Sequence, residues 1–369
     1  MSIGCNKAIL CVIGTRPEAI KMAPVILALR KRSFQVRVLA TAQHRKLLDQ
    51  VLDLFGIVPD IDLNIMKPNQ SLAPLTARLL LNVEEVLESE KPDAVLVQGD
   101  TTTVMAVALA CFYRHIPIGH IEAGLRTWDI DNPFPEEANR VITGKLARWH
   151  FAPTEESRSN LLRDGIPDKN IFITGNTVID ALLSLAEQDL TLPIDIDPDK
   201  RLVLITAHRR ENFGEPLRAI CQAIKALAQS NPSVEFLYPV HPNPNVTGVV
   251  NELLTDQKNV HLCAPLDYAH FVAVMKRSFL ILTDSGGIQE EAPALSKPVL
   301  VLRNETERPE AISQGVAKLV GHDYDRILSE AQRLLNDESA YFAMKKGISP
   351  YGDGHAAERI VRVLKEQLL

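Results

Sequence analysis

Residues 279–291 read FLILTDSGGIQEE. The apolar run Phe279–Leu282 stops at Asp284 and Ser285, two glycines follow, and a helical pattern opens under Glu290 and Glu291. The stretch predicts a buried strand, a tight Gly286-Gly287 turn and a helix, the repeating unit of a parallel α/β sheet. Such a junction presents unpaired N–H groups at the positive end of a helix dipole, which suits a phosphate. Glycines there place no Cβ in the way of a ligand. Glu290 or Glu291, about one turn in, is placed to accept hydrogen bonds from sugar hydroxyls. A nucleotide is the commonest ligand with both groups; a junction whose glycines serve packing alone is the alternative.

The same alternation extends to either side. Ala8–Ile13, Val36–Thr41, Ala94–Val97, Ile116–Ile121 and His150–Ala152 read as short buried strands, with helical patterns at Ala19–Lys31, Leu47–Phe55, Leu75–Ser89 and Val104–Tyr113. After Ile171–Thr174 and a helix from Val178, Leu190–Lys200 turns rich in Pro and Asp, as a linker does. A second set of strands follows at Leu202–Thr206, Val234–Pro239, Val260–Leu262, Phe279–Thr283 and Val299–Leu302. Helices are expected at Pro216–Gln229, Tyr268–Arg277 and Ile288–Leu295. The fold class expected is α/β, as two Rossmann-like doubly wound domains facing a central cleft. The expected domains are 1–175 and 176–355, and the helical pattern 356–369 is free to pack on either of them.

Composition bounds the partners. A chain of 369 residues exceeds one ordinary core. Its net charge of −6 argues against nucleic acid, whose phosphates require a basic face. No apolar stretch approaches the ~20 residues that span a bilayer, and Met1–Asn6 is too short for a signal peptide. The five cysteines show no CxxC spacing; Cys11, Cys111 and Cys221 fall in apolar stretches, as buried thiols of a reducing cytoplasm do. The histidines show neither HxxxH nor HExxH spacing, so no metal is expected.

Charged residues gather where strands end. The first strand runs into Gly14-Thr-Arg-Pro-Glu-Ala-Ile-Lys21, where Thr15 and Pro17 suit a helix start. Arg16 and Lys21 oppose the dipole there, a conflict that a bound anion relieves. Asp100 and Glu122 stand at neighbouring strand ends, and Glu136 and Glu137 follow in PFPEEANR, residues 133–140. Carboxylates crowded on one rim repel, which raises pKa values toward acid–base use. Helix capping explains any one of them, but poorly explains all. His208, Arg209 and Arg210 end a strand of the second half, a grouping suited to a diphosphate. A rim ion cluster with Glu211 is the competing reading. His241 sits among prolines that fit a rigid loop equally well, and Arg308 pairs with Glu310 or reaches a ligand.

Together these segments resemble the non-hydrolysing UDP-N-acetylglucosamine 2-epimerases of bacteria. The resemblance runs from Ala8 to the C-terminal helix, through GTRPEAIKMAP (14–24), TAQHR (41–45), DLNIMKP (62–68), GDTTT (99–103), GHIEAGLRT (119–127), PFPEEANR (133–140), TGNTVIDAL (174–182), TAHRREN (206–212), TDSGGIQEEAP (283–293), TERPEA (306–311) and SPYGDG (349–354). It implies the glycosyltransferase-B architecture, with the last helix returning to the N-terminal domain, and a homodimer. It implies interconversion of UDP-GlcNAc and UDP-ManNAc without NAD, metal or other cofactor, supplying ManNAc for surface polysaccharide. Asp100, Glu122, Glu136 and His208 then match catalytic residues. Arg16, Lys21, Arg140, Phe271, Ser285, Gly286, Gly287, Glu291 and Arg308 match contacts to the UDP-sugar. Gln43, Arg210 and His241 match an activator site of some relatives, where Lys46 and Asn69 replace a glutamine and an arginine. Leu266 replaces a glutamine of some relatives near the uracil, and Gln98 a frequent histidine. A glycosyltransferase on the same fold, a relative acting on another UDP-sugar and a non-catalytic sensor are the competing functions.

Overall fold

Every expected strand forms, and all of them pair in parallel. The computed structural model describes residues 7–32, 34–41, 45–65, 70–347 and 349–368. Met1–Asn6, Gln43 and Asn69 lie outside these residues, as does the side chain of Lys46. The chain divides into two units, Met1–Ala181 with Tyr351–Leu369, and Leu182–Pro350. The Pro- and Asp-rich stretch thus belongs to the second unit, where Arg277 donates to the carbonyls of Asp197, Pro198 and Lys200.

The first unit contains β1 (Ala8–Ile13), β2 (Gln35–Ala40), β3 (Ile61–Asp62), β4 (Ala94–Gln98), β5 (Ile118–Ile121), β6 (Trp149–Ala152) and β7 (Ile171–Ile173), in the order β3-β2-β1-β4-β5-β6-β7. β3 was not expected: its two residues, paired with Leu39 and Ala40, are too few for an apolar run. The second unit contains β8 (Arg201–Thr206), β9 (Val234–Pro239), β10 (Val260–Cys263), β11 (Leu280–Thr283), β12 (Val299–Val301) and β13 (Ala317–Leu319), in the order β10-β9-β8-β11-β12-β13. Each order reverses once, between β1 and β4 and between β8 and β11. Loops diverge there beyond the strand ends, and open α/β sheets bind ligands at such points.

Helices cover the sheets for local reasons. Arg16–Lys31 opens with a capping box: Thr15 caps Glu18 N, and the Glu18 carboxyl reaches back to Thr15 N. Its Ile20, Ile26 and Leu29 are buried, each worth about 1.5–3 kcal/mol. His241 lies in the loop 240–243, as its prolines suggested, and the helix Pro244–Leu254 that follows was not expected. Pro244 takes the first turn, Asn243 caps Asn245 N at 2.9 Å, and Val246, Val250 and Leu254 form its buried stripe.

Residues 279–291 depart at one point from the expected strand, turn and helix. Gly286 and Gly287 form no tight turn; they are the first residues of the helix Gly286–Ala294, with Ser285 as its N-cap. Neither glycine adopts a positive φ. The last helix, Ala356–Leu368, belongs to the first unit, where Gln367 accepts the Trp149 indole N–H at 3.4 Å.

Candidate active site

In the first unit the strand-end carboxylates are paired with cations. Asp100 follows β4 through Gly99, whose φ of 80° suits glycine. Its Oδ2 accepts Arg140 Nη2 at 2.6 Å, and Arg140 also faces Glu137 at 3.1 Å. Burial pushes the Asp100 carboxyl above its ordinary range, with Glu122 adding to the rise and Arg140 and Lys21 opposing it. His120 lies behind, its Nε2 2.8 Å from Gly99 O. Burial lowers His120 to about 4, so the ring is neutral at physiological pH and donates Nε2–H to that carbonyl.

Glu122, at the end of β5, adopts a φ of 62°, an uncommon conformation for a side chain of this size. Its Oε1 accepts Lys21 Nζ at 2.5 Å and Asn176 Nδ2 at 2.9 Å, and its Oε2 accepts Gln98 Nε2. The crowded rim is therefore two ion pairs, Asp100–Arg140 and Glu122–Lys21. The dipole conflict expected at Lys21 is relieved by Glu122. Glu136 and Glu137 divide their work: Glu137 is buried against Arg140 and accepts Trp128 N, while half-buried Glu136 opens the helix Glu136–Leu146. Arg16, also half-buried, opens its own helix.

Glu18 has a thermodynamic consequence. Its Oε2 accepts Gly14 N at 2.5 Å and Thr15 N at 3.2 Å. Burial raises its pKa from 4.5 to about 7, against the opposing hydrogen bonds. The folded chain then holds a proton that the unfolded chain releases between those values, worth roughly 3 kcal/mol. That stability is complete below pH 4.5 and is lost as pH rises through 7. Glu18→Gln is expected to flatten the dependence, because an amide oxygen still accepts from Gly14 N. Urea unfolding from pH 4.5 to 8 measures it; an unchanged slope would count against this account.

In the second unit the hub is Asp284, wholly buried after β11. Its Oδ2 accepts His208 N and Arg209 N at 2.8 Å each and Asn212 Nδ2 at 3.0 Å, fixing the loop after β8. His208 Nδ1 lies 3.9 Å from Asp284 Oδ1, and its ring stacks on His241 at 5.4 Å. Burial lowers the His208 pKa; Asp284 opposes that, and His241 and Arg209 add to it. Arg210 is exposed, and Glu211 pairs with Arg303 at 2.5 Å. A Cβ on Gly286 would lie 3.7 Å from Arg209 Nη2 and 4.0 Å from Arg308 Cζ, an ordinary contact distance. Neither backbone conformation nor packing demands glycine there. Arg308 Nε donates to Glu290, and Glu291 accepts the Tyr268 hydroxyl at 2.6 Å. Phe271, half-buried, follows on the helix Tyr268–Arg277.

The UDP-N-acetylglucosamine 2-epimerase family profile matches residues 27–365 of this chain. The enzyme of that name from Salmonella typhimurium is 54% identical over 368 residues, 97% of this chain and 98% of that protein. The chain belongs to this family. Its fold matches the crystal structure of the UDP-GlcNAc 2-epimerase from Neisseria meningitidis bound to UDP-GlcNAc, with a TM-score of 0.88 and 50% identity over 97% of this chain and 100% of that one. A glycotransferase of kitacinnamycin is similar in fold alone, with a TM-score of 0.70 at 13% identity over 99% of this chain and 100% of that one. The glycosyltransferase-B-like α/β fold of this epimerase-family chain is therefore established.

Arg16, Asp100, Glu122, His208 and Ser285 follow strand ends within their units, Glu136, Arg140 and Phe271 lie on helices, and the structure adds others. Asn176 and Gln98 hold Glu122, Tyr268 holds Glu291, and Asp284 orders the His208 loop. Asp284 had a signal, an acidic residue directly after an apolar strand, and so did Gln98. Asn176 and Tyr268 had none, because their partners lie 54 and 23 residues away.

Proposed function

We propose that this chain interconverts UDP-GlcNAc and UDP-ManNAc by eliminating UDP across C1–C2 and adding it back. Within this family, the observation that carries the reading is the pairing of Asp100 with Arg140 and Glu122 with Lys21 at neighbouring strand ends. In the forward half a carboxylate takes the C2 proton, and the C1–O bond breaks with its electron pair leaving on UDP. The product of that half is bound 2-acetamidoglucal. In the return half a carboxyl group delivers a proton to the opposite face of C2 as a UDP oxygen re-forms the bond to C1. Two faces require two proton-transfer groups; Asp100, Glu122 and Glu136 supply them.

His208, Arg16, Lys21, Arg308 and the Ser285–Gly287 helix start bind the departing diphosphate, an electrostatic role suited to fixed N–H groups and cations. The absence of any conformational or steric demand for Gly286 supports a close ligand approach there. Glu291 binds the ribose, Phe271 lies by the uracil, and Arg140 steadies Asp100 at the sugar end. Gln43, Arg210 and His241 form an activator site in this reading; Gln43 lies outside the described residues.

Purified protein with neither NAD nor metal added is expected to convert UDP-GlcNAc to a mixture of epimers carrying solvent deuterium at C2. Epimers without deuterium would overturn the elimination route; sugar transfer to an acceptor with C2 untouched would point to a glycosyltransferase. The reading includes a homodimer, supported by Leu81, Phe112 and Tyr113, which are 68%, 53% and 65% exposed on two adjacent helices. Light scattering at the monomer mass would contradict it. It also places the protein in the cytoplasm. Cys11, Cys111 and Cys221 are buried thiols pushed up to about 12 by burial, and among the described residues no helix is long and apolar enough to cross a membrane. Recovery in a membrane or periplasmic fraction would argue against that.

A further inference from the structure

The chain leaves the first unit after Ala181 and returns to it at Tyr351, and both passages are tied to Asn176 and its neighbours. Asn176 N donates to Tyr351 O at 2.6 Å. Gly175 and Gly352, with φ of 89° and 149°, let the two backbones run close; a Cβ on Gly175 would lie 3.3 Å from Gly352 Cα. One turn further, Asp180 accepts Ala357 N at 2.8 Å and Ala356 N at 3.2 Å, capping the returning helix. The Asn176 side chain faces the other way. Its Oδ1 accepts Val178 N at 3.1 Å, starting the outgoing helix, and its Nδ2 donates to Glu122 Oε1 at 2.9 Å. An ionised carboxylate only accepts, so these two contacts fix the orientation of the amide. Asn176 is 2% exposed, so a contact to Glu122 is not replaced freely by water.

We infer that Asn176 is a positioning residue for Glu122, and that through it the aim of this carboxylate follows the geometry of the two chain crossings. The inference rests on the reading of Glu122 as a catalytic carboxylate. Among the described contacts, Glu122 is gripped from three elements: Lys21 from the helix after β1, Gln98 from the end of β4, and Asn176 from the segment after β7. Of these, Asn176 alone lies in a segment that continues directly into a crossing. A residue with a φ of 62° has few alternative conformations to absorb a change in that grip. Displacing the crossing backbone at Tyr351 therefore moves the Nδ2 donor and, with it, the carboxylate.

Asn176→Ala is expected to lower kcat about tenfold with KM changed less than about twofold, since misplacing a reacting group costs more than losing a binding contact. The limb of the kcat/KM profile that Glu122 sets, acidic if it is the base and basic if it is the acid, should move up by about one pH unit, because a donor to its charged form is gone. Among the described residues, the other groups facing Glu122 are Lys21, Gln98, Asp100 and His120, and that variant leaves them unchanged. Asn176→Ser keeps an oxygen for Val178 N but is too short to reach Glu122; it should fold as the parent does and show the same shift. Asp180→Asn touches the crossing and not Glu122, and should lower kcat about two- to fivefold with a shift of the same direction. A parental pH profile in folded Asn176→Ser, or in Asp180→Asn, would overturn the inference. Glu122→Gln assayed alongside separates the causes: full turnover there removes the catalytic reading of Glu122. An inactive Glu122→Gln with an unshifted Asn176→Ser removes this inference alone.

Discussion

Asp100→Asn is expected to lower turnover about 10³-fold while leaving the melting temperature within a few degrees of the parent. The substitution keeps the shape and removes the proton-transfer group. Arg140 loses the partner it holds at 2.6 Å but keeps Glu137 at 3.1 Å, so the guanidinium is not left buried and unpaired. The Asn139 contact to the Asp100 carbonyl, at 2.9 Å, involves backbone and survives. General acid–base groups contribute about 10²–10⁴-fold, and the upper part of that range applies to a group required in both directions of a reversible reaction. Binding of UDP, measured by calorimetry, should change little, because Asp100 is assigned to the sugar and not to the diphosphate. Turnover and C2 deuterium exchange read out the effect. Exchange at the parental rate would remove Asp100 from the chemistry.

The architecture was legible because parallel strands buried on both faces need continuous apolar runs, and this chain marks each run with glycine, proline or a charged residue. The strand ends therefore announced Arg16, Asp100, Glu122, His208 and Ser285 as rim residues. What pairs with what was not legible. Lys21 and Glu122 lie 101 residues apart, and Asp284 and His208 lie 76 apart, so no local pattern connects them. The carboxylates looked like a cluster of like charge because their cations come from other elements. The helix Pro244–Leu254 escaped notice because its proline stands in the first turn, where it costs nothing and ends the preceding loop as well. The paired glycines read as a turn, although both are helical in φ.

The second large effect concerns stability. Asp284→Ala is expected to destabilise the fold by about 3–4 kcal/mol, lowering the melting temperature by roughly 10 °C. The carboxylate is wholly buried and receives three donors, His208 N, Arg209 N and Asn212 Nδ2. Alanine removes the shared acceptor, and each donor enclosed without a partner costs about 1–3 kcal/mol. Asn212 retains a second acceptor in Leu302 O at 3.1 Å, so the full sum is not reached. The exposed side of the His208 loop lets water relieve part of the remainder, which keeps the estimate near the lower end. Asp284→Asn should cost much less, about 1 kcal/mol, because its oxygen still accepts from the two backbone donors. Thermal unfolding of both variants tests the ordering. Should alanine prove as stable as the parent, the loop would be held by its own backbone. Asp284 would then lose its assigned part in setting His208 beside His241 and Arg209 beside the Gly286 helix start, where the diphosphate is proposed to bind.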